Sequence, residues 1–216
     1  HSLNLKSGFF VSEMKSKIKK IAKDNLSKLI EIRRYLHQNP ELSFKEFETS
    51  KFIQSKLDER GISYTTGWVE TGIVVLIEGK NPAKKCIGLR ADLDALPIIE
   101  QNDVSYRSKK EGVMHACGHD VHASILLGTA FILNEIKDEI EGTIKLIFQP
   151  GEEQLPGGAK LMIEQGVLEN PKVDQMIALH VFPDLEAGKI GFRPGMYMAS
   201  CDEIHIQVNG KGGHGA

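Results

Sequence analysis

Apolar runs of strand length alternate with amphipathic stretches of helical length along most of this 216-residue chain. That alternation constrains the fold more than any other feature, because strand–helix–strand order builds a parallel sheet covered by helices. A first helix is expected over residues 13–38, where Ile18, Ile21, Leu26, Leu29, Ile32 and Leu36 recur at three- to five-residue steps and form one buried face. Asn39-Pro40 ends it. A second helix is expected over 44–60, stopped by Gly61. Strand-type runs follow at 73–77 and 86–89, then a helix over 121–136 with Asp120 as its N-cap. Residues 143–148 read as a strand, 158–165 as a helix and 175–179 as another strand. The expected class is α/β, with a mostly parallel sheet flanked by helices.

After residues 188–192 the pattern changes. Residues 203–208 alternate polar and apolar side chains, with Ile204, Ile206 and Val208 on one face, as a strand with one exposed face does. This run leads into the glycine-rich Lys211-Gly-Gly-His-Gly-Ala216, so the sequence reads as cut within a second domain. The expected organisation is an added or linker segment at 1–13 ahead of Met14, a catalytic domain at 14–197 and the start of another domain at 198–216.

Charge and composition exclude several classes of function. A formal net charge of −2 gives no electrostatic reason to expect nucleic acid, whose binders normally carry a net basic surface or stripe. Lys15, Lys17, Lys19, Lys20 and Lys23 cluster on the first expected helix, where a solvated face accounts for them. No apolar stretch approaches the roughly 20 residues that span a bilayer. The three cysteines form no C-x-x-C pair, which fits reduced thiols and a cytoplasmic location. Cys86 and Cys201 read as structural.

Three expected strands run into potential ligands or acid–base groups: 86–89 into Asp92 and Asp94, 143–148 into Glu152 and Glu153, and 175–179 into His180. In an open parallel sheet, sites form beyond the carboxyl ends of the strands, so these tips would converge on one rim. A fourth contribution, Met114-His-Ala-Cys-Gly-His-Asp-Val-His122, opens the 121–136 helix. The positive end of that helix would favour a thiolate at Cys117. Any one of these residues alone reads as structural: a buried cysteine, a solvated glutamate pair, a core histidine. Together, thiolate, imidazole and carboxylate suit Zn²⁺, and imidazole with carboxylate also suits Mn²⁺ or Co²⁺. Adjacent glutamates can divide the work, one binding metal while the other takes a proton from a water at the metal. His115 and His122 flank this loop without an assigned ligand role. Another reading makes Cys117 a nucleophile activated by His119 or His180.

Six segments carry a family resemblance: Arg33-Arg-Tyr-Leu-His-Gln-Asn-Pro-Glu-Leu-Ser43, Gly88-Leu-Arg-Ala-Asp-Leu-Asp-Ala-Leu-Pro97, Met114-His-Ala-Cys-Gly-His-Asp120, Phe148-Gln-Pro-Gly-Glu-Glu153, Ala178-Leu-His-Val181 and Gly210-Lys-Gly-Gly-His-Gly-Ala216. In this order they resemble the co-catalytic metallo-amidohydrolases. That family includes aminoacylases, hippurate hydrolases, N-acetyl-diaminopimelate deacetylases and plant auxin-conjugate hydrolases. The resemblance implies a zinc-exopeptidase-like catalytic domain followed by the first strand of an inserted α+β lid and dimerisation domain. It implies two divalent metal ions, Zn or Mn with Co or Ni as alternatives, held by Cys117, His119, Glu153 and His180. A further histidine ligand would come from beyond residue 216.

By the same resemblance Glu152 is the general base, and Asp94 orients a ligand from behind; Asp92 is a less certain member of the site. His214 reaches the oxyanion of the tetrahedral intermediate, usually from a partner subunit. The implied reaction is hydrolysis of the amide bond of an N-acyl amino acid or short peptide by a homodimer joined through the lid. Dipeptidase or carboxypeptidase activity at the same site, and a non-catalytic metal-binding module, are the alternatives.

Overall fold

Residues Ile21, Asn25, Ile32 and Leu36 line one face of a long helix, α1 (Ser2–Gln38), and are buried. In this computed structural model, which describes residues 2–197 and 204–215, the helix also runs through the segment read as a linker. Leu26, expected in the core, is instead 54% exposed. Asn25 takes the inward position, where it donates to Ile21 O at 2.9 Å and accepts from Arg60 Nη2 at 2.6 Å. These bonds satisfy a polar side chain that burial would otherwise penalise. The lysine cluster faces solvent, as expected.

The chain divides into two units, His1–Val181 and Phe182–Ala216. In the first, α2 (Phe47–Asp58) is followed by β1 (Tyr64–Gly67), β2 (Glu70–Glu78) and β3 (Cys86–Asp92). Then come α3 (His119–Ile136), β4 (Thr143–Gln149), α4 (Gly158–Glu164) and β5 (Gln175–Ala178). The strands form one sheet in the order β1-β2-β4-β3-β5. Strand β3 runs parallel to both β4 and β5, while β2 is antiparallel to β4 and to β1. The parallel half follows from the helical crossovers between its strands. The antiparallel edge comes from the two-residue connection Trp68-Val69, which permits a hairpin and no crossover. Strand β1 has no alternating apolar pattern and was not expected from the sequence.

Side chains of β2, β3 and β4 build the main core with α1, α2 and α3. Ile73, Val75, Leu146 and Phe148 pack there against Ile32, Leu36, Ile53, Leu57, Leu127 and Phe131. Val74 and Ile147 point to the opposite face and meet Met162 of α4 and Val167. The sheet is thus covered on both faces, the arrangement that parallel strands require. Helices α1 and α3 approach closely at Gly128, where a Cβ would lie 2.6 Å from Leu29 Cδ1.

Two local expectations are corrected. Asp120 is not the N-cap of α3. Gly118 takes that position in a left-handed conformation (φ 88°), and Asp120 sits in the first turn with its carboxylate turned towards α1. The strand expected at 203–208 is absent from its described part: residues 204–208 are irregular and exposed. A strand needs a ladder partner for its backbone groups, and among the described residues none runs beside it. Cys201 and Glu203 lie outside the described residues. The described residues of the second unit, taken by themselves, form turns and irregular backbone, with Ile190, Phe192 and Met196 solvent-exposed.

Candidate metal centre

The parallel strands β4, β3 and β5 are neighbours, so their carboxyl ends lie side by side. Asp92 ends β3 and Asp94 follows it; Glu152 and Glu153 follow β4; His180 follows β5. Helix α3 starts at the same rim and contributes Cys117 just ahead of its first turn and His119 within it. The turn after β4 depends on Gly151, whose φ is 58°. A side chain there would run into the Phe44 ring, and its backbone N–H donates to the buried Glu46 carboxylate at 2.8 Å.

His119 lies at the middle of the cluster. Its Nδ1 is 3.2 Å from Asp94 Oδ1, while Nε2 lies 3.7 Å from Asp92 Oδ2, 3.7 Å from Glu153 Oε1 and 3.9 Å from Glu152 Oε2. Asp94 also accepts from Ser43 Oγ at 2.6 Å and from the Glu153 backbone N–H at 2.9 Å. Cys117 Sγ and His180 Nε2 are 3.2 Å apart, and His180 Nδ1 faces the Val181 carbonyl at 2.7 Å. Ligand atoms of Cys117, His119 and His180 lie within 4.8 Å of one another, as do those of His119, Glu152 and Glu153. The sequence-expected ligands Cys117, His119, Glu153 and His180 are therefore brought together, with Glu152 and Asp94 beside them. His214 lies in the second unit, exposed and on irregular backbone.

The donor set fits divalent cations. His119 Nε2 and Glu153 Oε1 are both buried and lack a hydrogen-bond partner, a costly state unless something else occupies them. The surrounding charge has the same implication. Burial lowers the pKa of His119, but the Asp94 hydrogen bond and the Asp92, Asp94 and Glu153 charges outweigh it and raise the ring's affinity for a positive charge. Burial, reinforced by Glu153, Glu152 and Asp92, pushes the Cys117 thiol up to about 12. These effects oppose the thiolate-favouring influence expected of the α3 N-terminus. A cation seated among these groups would relieve that excess negative charge and deprotonate the thiol.

The glutamate pair is divided by its environment. Glu153 turns a buried oxygen into the cluster. The Glu152 side chain is 41% exposed, and burial followed by the Glu153 charge raises its carboxyl above the usual range.

Two polar arrangements were not read from the sequence. Burial alone would raise Asp92, but the hydrogen bond from His122, at 2.6 Å, and the Arg90, His119 and His122 charges hold it at about 2. His122 follows His119 by three residues on α3, the spacing that puts both rings on one helix face; that was the available signal. His37 is the second case, with Nδ1 2.7 Å from Asp120 and Nε2 3.0 Å from Glu100. Nothing in the sequence pairs residues so far apart. Cys86 is buried, as its structural reading expects.

The sequence profile of peptidase family M20/M25/M40 matches residues 88–214. Thermostable carboxypeptidase 2 of Saccharolobus solfataricus is 46% identical over 206 residues, covering 94% of this chain and 52% of the relative. N-acyl-L-amino acid amidohydrolase of Geobacillus stearothermophilus is 43% identical over 202 residues, covering 94% and 54%. A dinuclear metal binding peptidase of the M20 family from Bacillus subtilis superposes with a TM-score of 0.71 at 43% identity, over 76% of this chain and 45% of that one. The chain spans about half the length of the curated relatives it matches.

Proposed function

This chain belongs to peptidase family M20/M25/M40, and from that premise we propose that its protein hydrolyses the amide bond of N-acyl amino acids. One observation carries the reading: the adjacent glutamates differ in environment, the Glu152 side chain being 41% exposed while Glu153, 22% exposed, turns one buried oxygen without a hydrogen-bond partner into the cluster. A binding module would need the second and have no use for the first.

In this reading Cys117, His119, Glu153 and His180 hold two divalent cations, Zn or Mn, together with a histidine from outside this stretch. When bound, such cations polarise a carbonyl and acidify water. Glu152 takes the proton of the attacking water and returns it to the departing amine, serving first as base and then as acid. Partial burial and the Glu153 charge raise its carboxyl above the usual range, a shift towards proton uptake. Asp94 keeps the His119 Nδ1 proton engaged, so that Nε2 presents its lone pair to the cluster. His214 donates to the developing oxyanion, from the partner subunit of a homodimer. The cytoplasm is the proposed location, in keeping with the free Cys86 and Cys117; no described helix is long and apolar enough to cross a membrane.

Carboxypeptidase action at the same site is the second reading, favoured by the 46% identity to a protein of that name. Assaying the full-length protein on N-acetyl and N-benzoyl amino acids beside blocked dipeptides separates the two. Preference for the acyl amino acids, lost with a chelator and recovered with Zn²⁺ or Mn²⁺, is the expected result. Activity unaffected by chelation would overturn the metal reading.

A further inference from the structure

His122 lies beneath the cluster, and both of its ring nitrogens are engaged. Nδ1 is 2.6 Å from Asp92 Oδ1, and Nε2 is 3.0 Å from the backbone nitrogen of Val181. An amide can only donate, so Nε2 carries the lone pair and Nδ1–H donates to Asp92. The ring therefore has no lone pair to offer a cation, although Asp92, His119 and His122 have ligand-type atoms within 4.8 Å of one another.

Val181 is the residue that this bond holds. Its carbonyl faces His180 Nδ1 at 2.7 Å, which sets the orientation of that ring and leaves Nε2 directed at Cys117 Sγ. Its side chain packs against Gly118: a Cβ on that glycine would come within 2.5 Å of Val181 Cγ2. The His122 and His180 rings meet edge to face, with centroids 4.6 Å apart.

We propose that His122 is a positioning residue for the metal centre, fixing His180 through the Val181 backbone while touching no metal itself. This rests on the metal-site reading above. Asp92 sets the His122 tautomer, His122 holds the Val181 amide, and the Val181 carbonyl sets the His180 ring. Supports of this kind commonly change metal affinity as much as a weak ligand does.

The test uses the full-length protein stripped of metal and titrated with Co²⁺, read by the thiolate-to-cobalt absorption that reports Cys117. Wild-type protein should develop the band; its absence would overturn the metal reading itself. H122N retains a donor towards Asp92 but loses the acceptor for Val181, and should weaken Co²⁺ binding by about tenfold to a hundredfold. H122Q can place a carbonyl oxygen where Nε2 stood and should recover most of that loss. Wild-type affinity in H122N, or equal losses in both variants, would overturn the positioning role.

Should H122N fail to fold, ¹⁵N NMR of the wild-type histidines after loading with ¹¹³Cd²⁺ decides. Protonated Nδ1, unprotonated Nε2 and no cadmium coupling are expected at His122, with coupling at His180. Coupling or an Nε2 proton at His122 would contradict the proposal.

Discussion

Asp94 joins two parts of the candidate centre: its Oδ1 lies 3.2 Å from His119 Nδ1, and its Oδ2 accepts the Glu153 backbone N–H at 2.9 Å. One buried carboxylate thus fixes the orientation of an imidazole from α3 and the position of a glutamate from the turn after β4. Burial works against its charge, but hydrogen bonds from His119, Ser43 and Glu153 hold it below the usual range. D94N should retain the Ser43 and backbone contacts in part while losing the charge that orients His119. Metal affinity of the full-length protein, measured by competition with a chromophoric chelator, should fall by about tenfold to a hundredfold. Unchanged affinity would show that His119 is oriented by other means.

The His37 network gives a pH dependence of stability. Asp120, opposed by burial and assisted by Glu100, raises the pKa of His37, so the folded protein favours imidazolium. A raised histidine contributes stability that is complete below its unfolded value near 6.5 and is lost as pH rises through the folded value. Asp120 and Glu100 are lowered by His37 against the effect of burial, so their contribution is lost as pH falls through their folded values. The network should therefore stabilise most at mildly acidic pH. H37Q should cost about 3–5 kcal/mol there, since it leaves two buried carboxylates underpaired, and less at alkaline pH. Urea melts of both proteins across pH check this; a pH-independent difference would contradict it.

Lys145 presents a structural case away from the centre. Its Nζ donates to the carbonyls of Val167, Glu169 and Pro171 at 2.8, 2.7 and 2.9 Å, tying β4 to the chain after α4. K145M would leave these oxygens without their donor and should cost about 3 kcal/mol in chemical denaturation. Metal content of the folded fraction should be unchanged. Loss of metal at full stability would mean that this lysine acts on the centre.

The placement of the site was legible because parallel strands put their carboxyl ends on one rim. Asp92 and Asp94, Glu152 and Glu153, and His180 could be read as strand tips before any partner was known. The antiparallel edge was not legible, since the Tyr64–Gly67 strand is short and lacks alternation. Nor was the inward turn of Asn25 in place of Leu26, which depends on Arg60 from beyond α2. Side-chain pairs such as His37 with Asp120, or His122 with the Val181 amide, join residues 83 and 59 positions apart. Local sequence carries no signal for such distances. Cys117 shows the same limit from another direction: the helix end suggested a thiolate, while three carboxylates from other segments oppose one.

The most direct measurement is E152Q in the full-length protein, with metal content and turnover of an N-acyl amino acid determined on the same preparation. Glutamine keeps the shape of Glu152 and removes only its ability to exchange a proton. Metal content should stay at the wild-type level while kcat falls by about 10²- to 10⁴-fold. Near-normal turnover with metal retained would contradict the division of labour between Glu152 and Glu153.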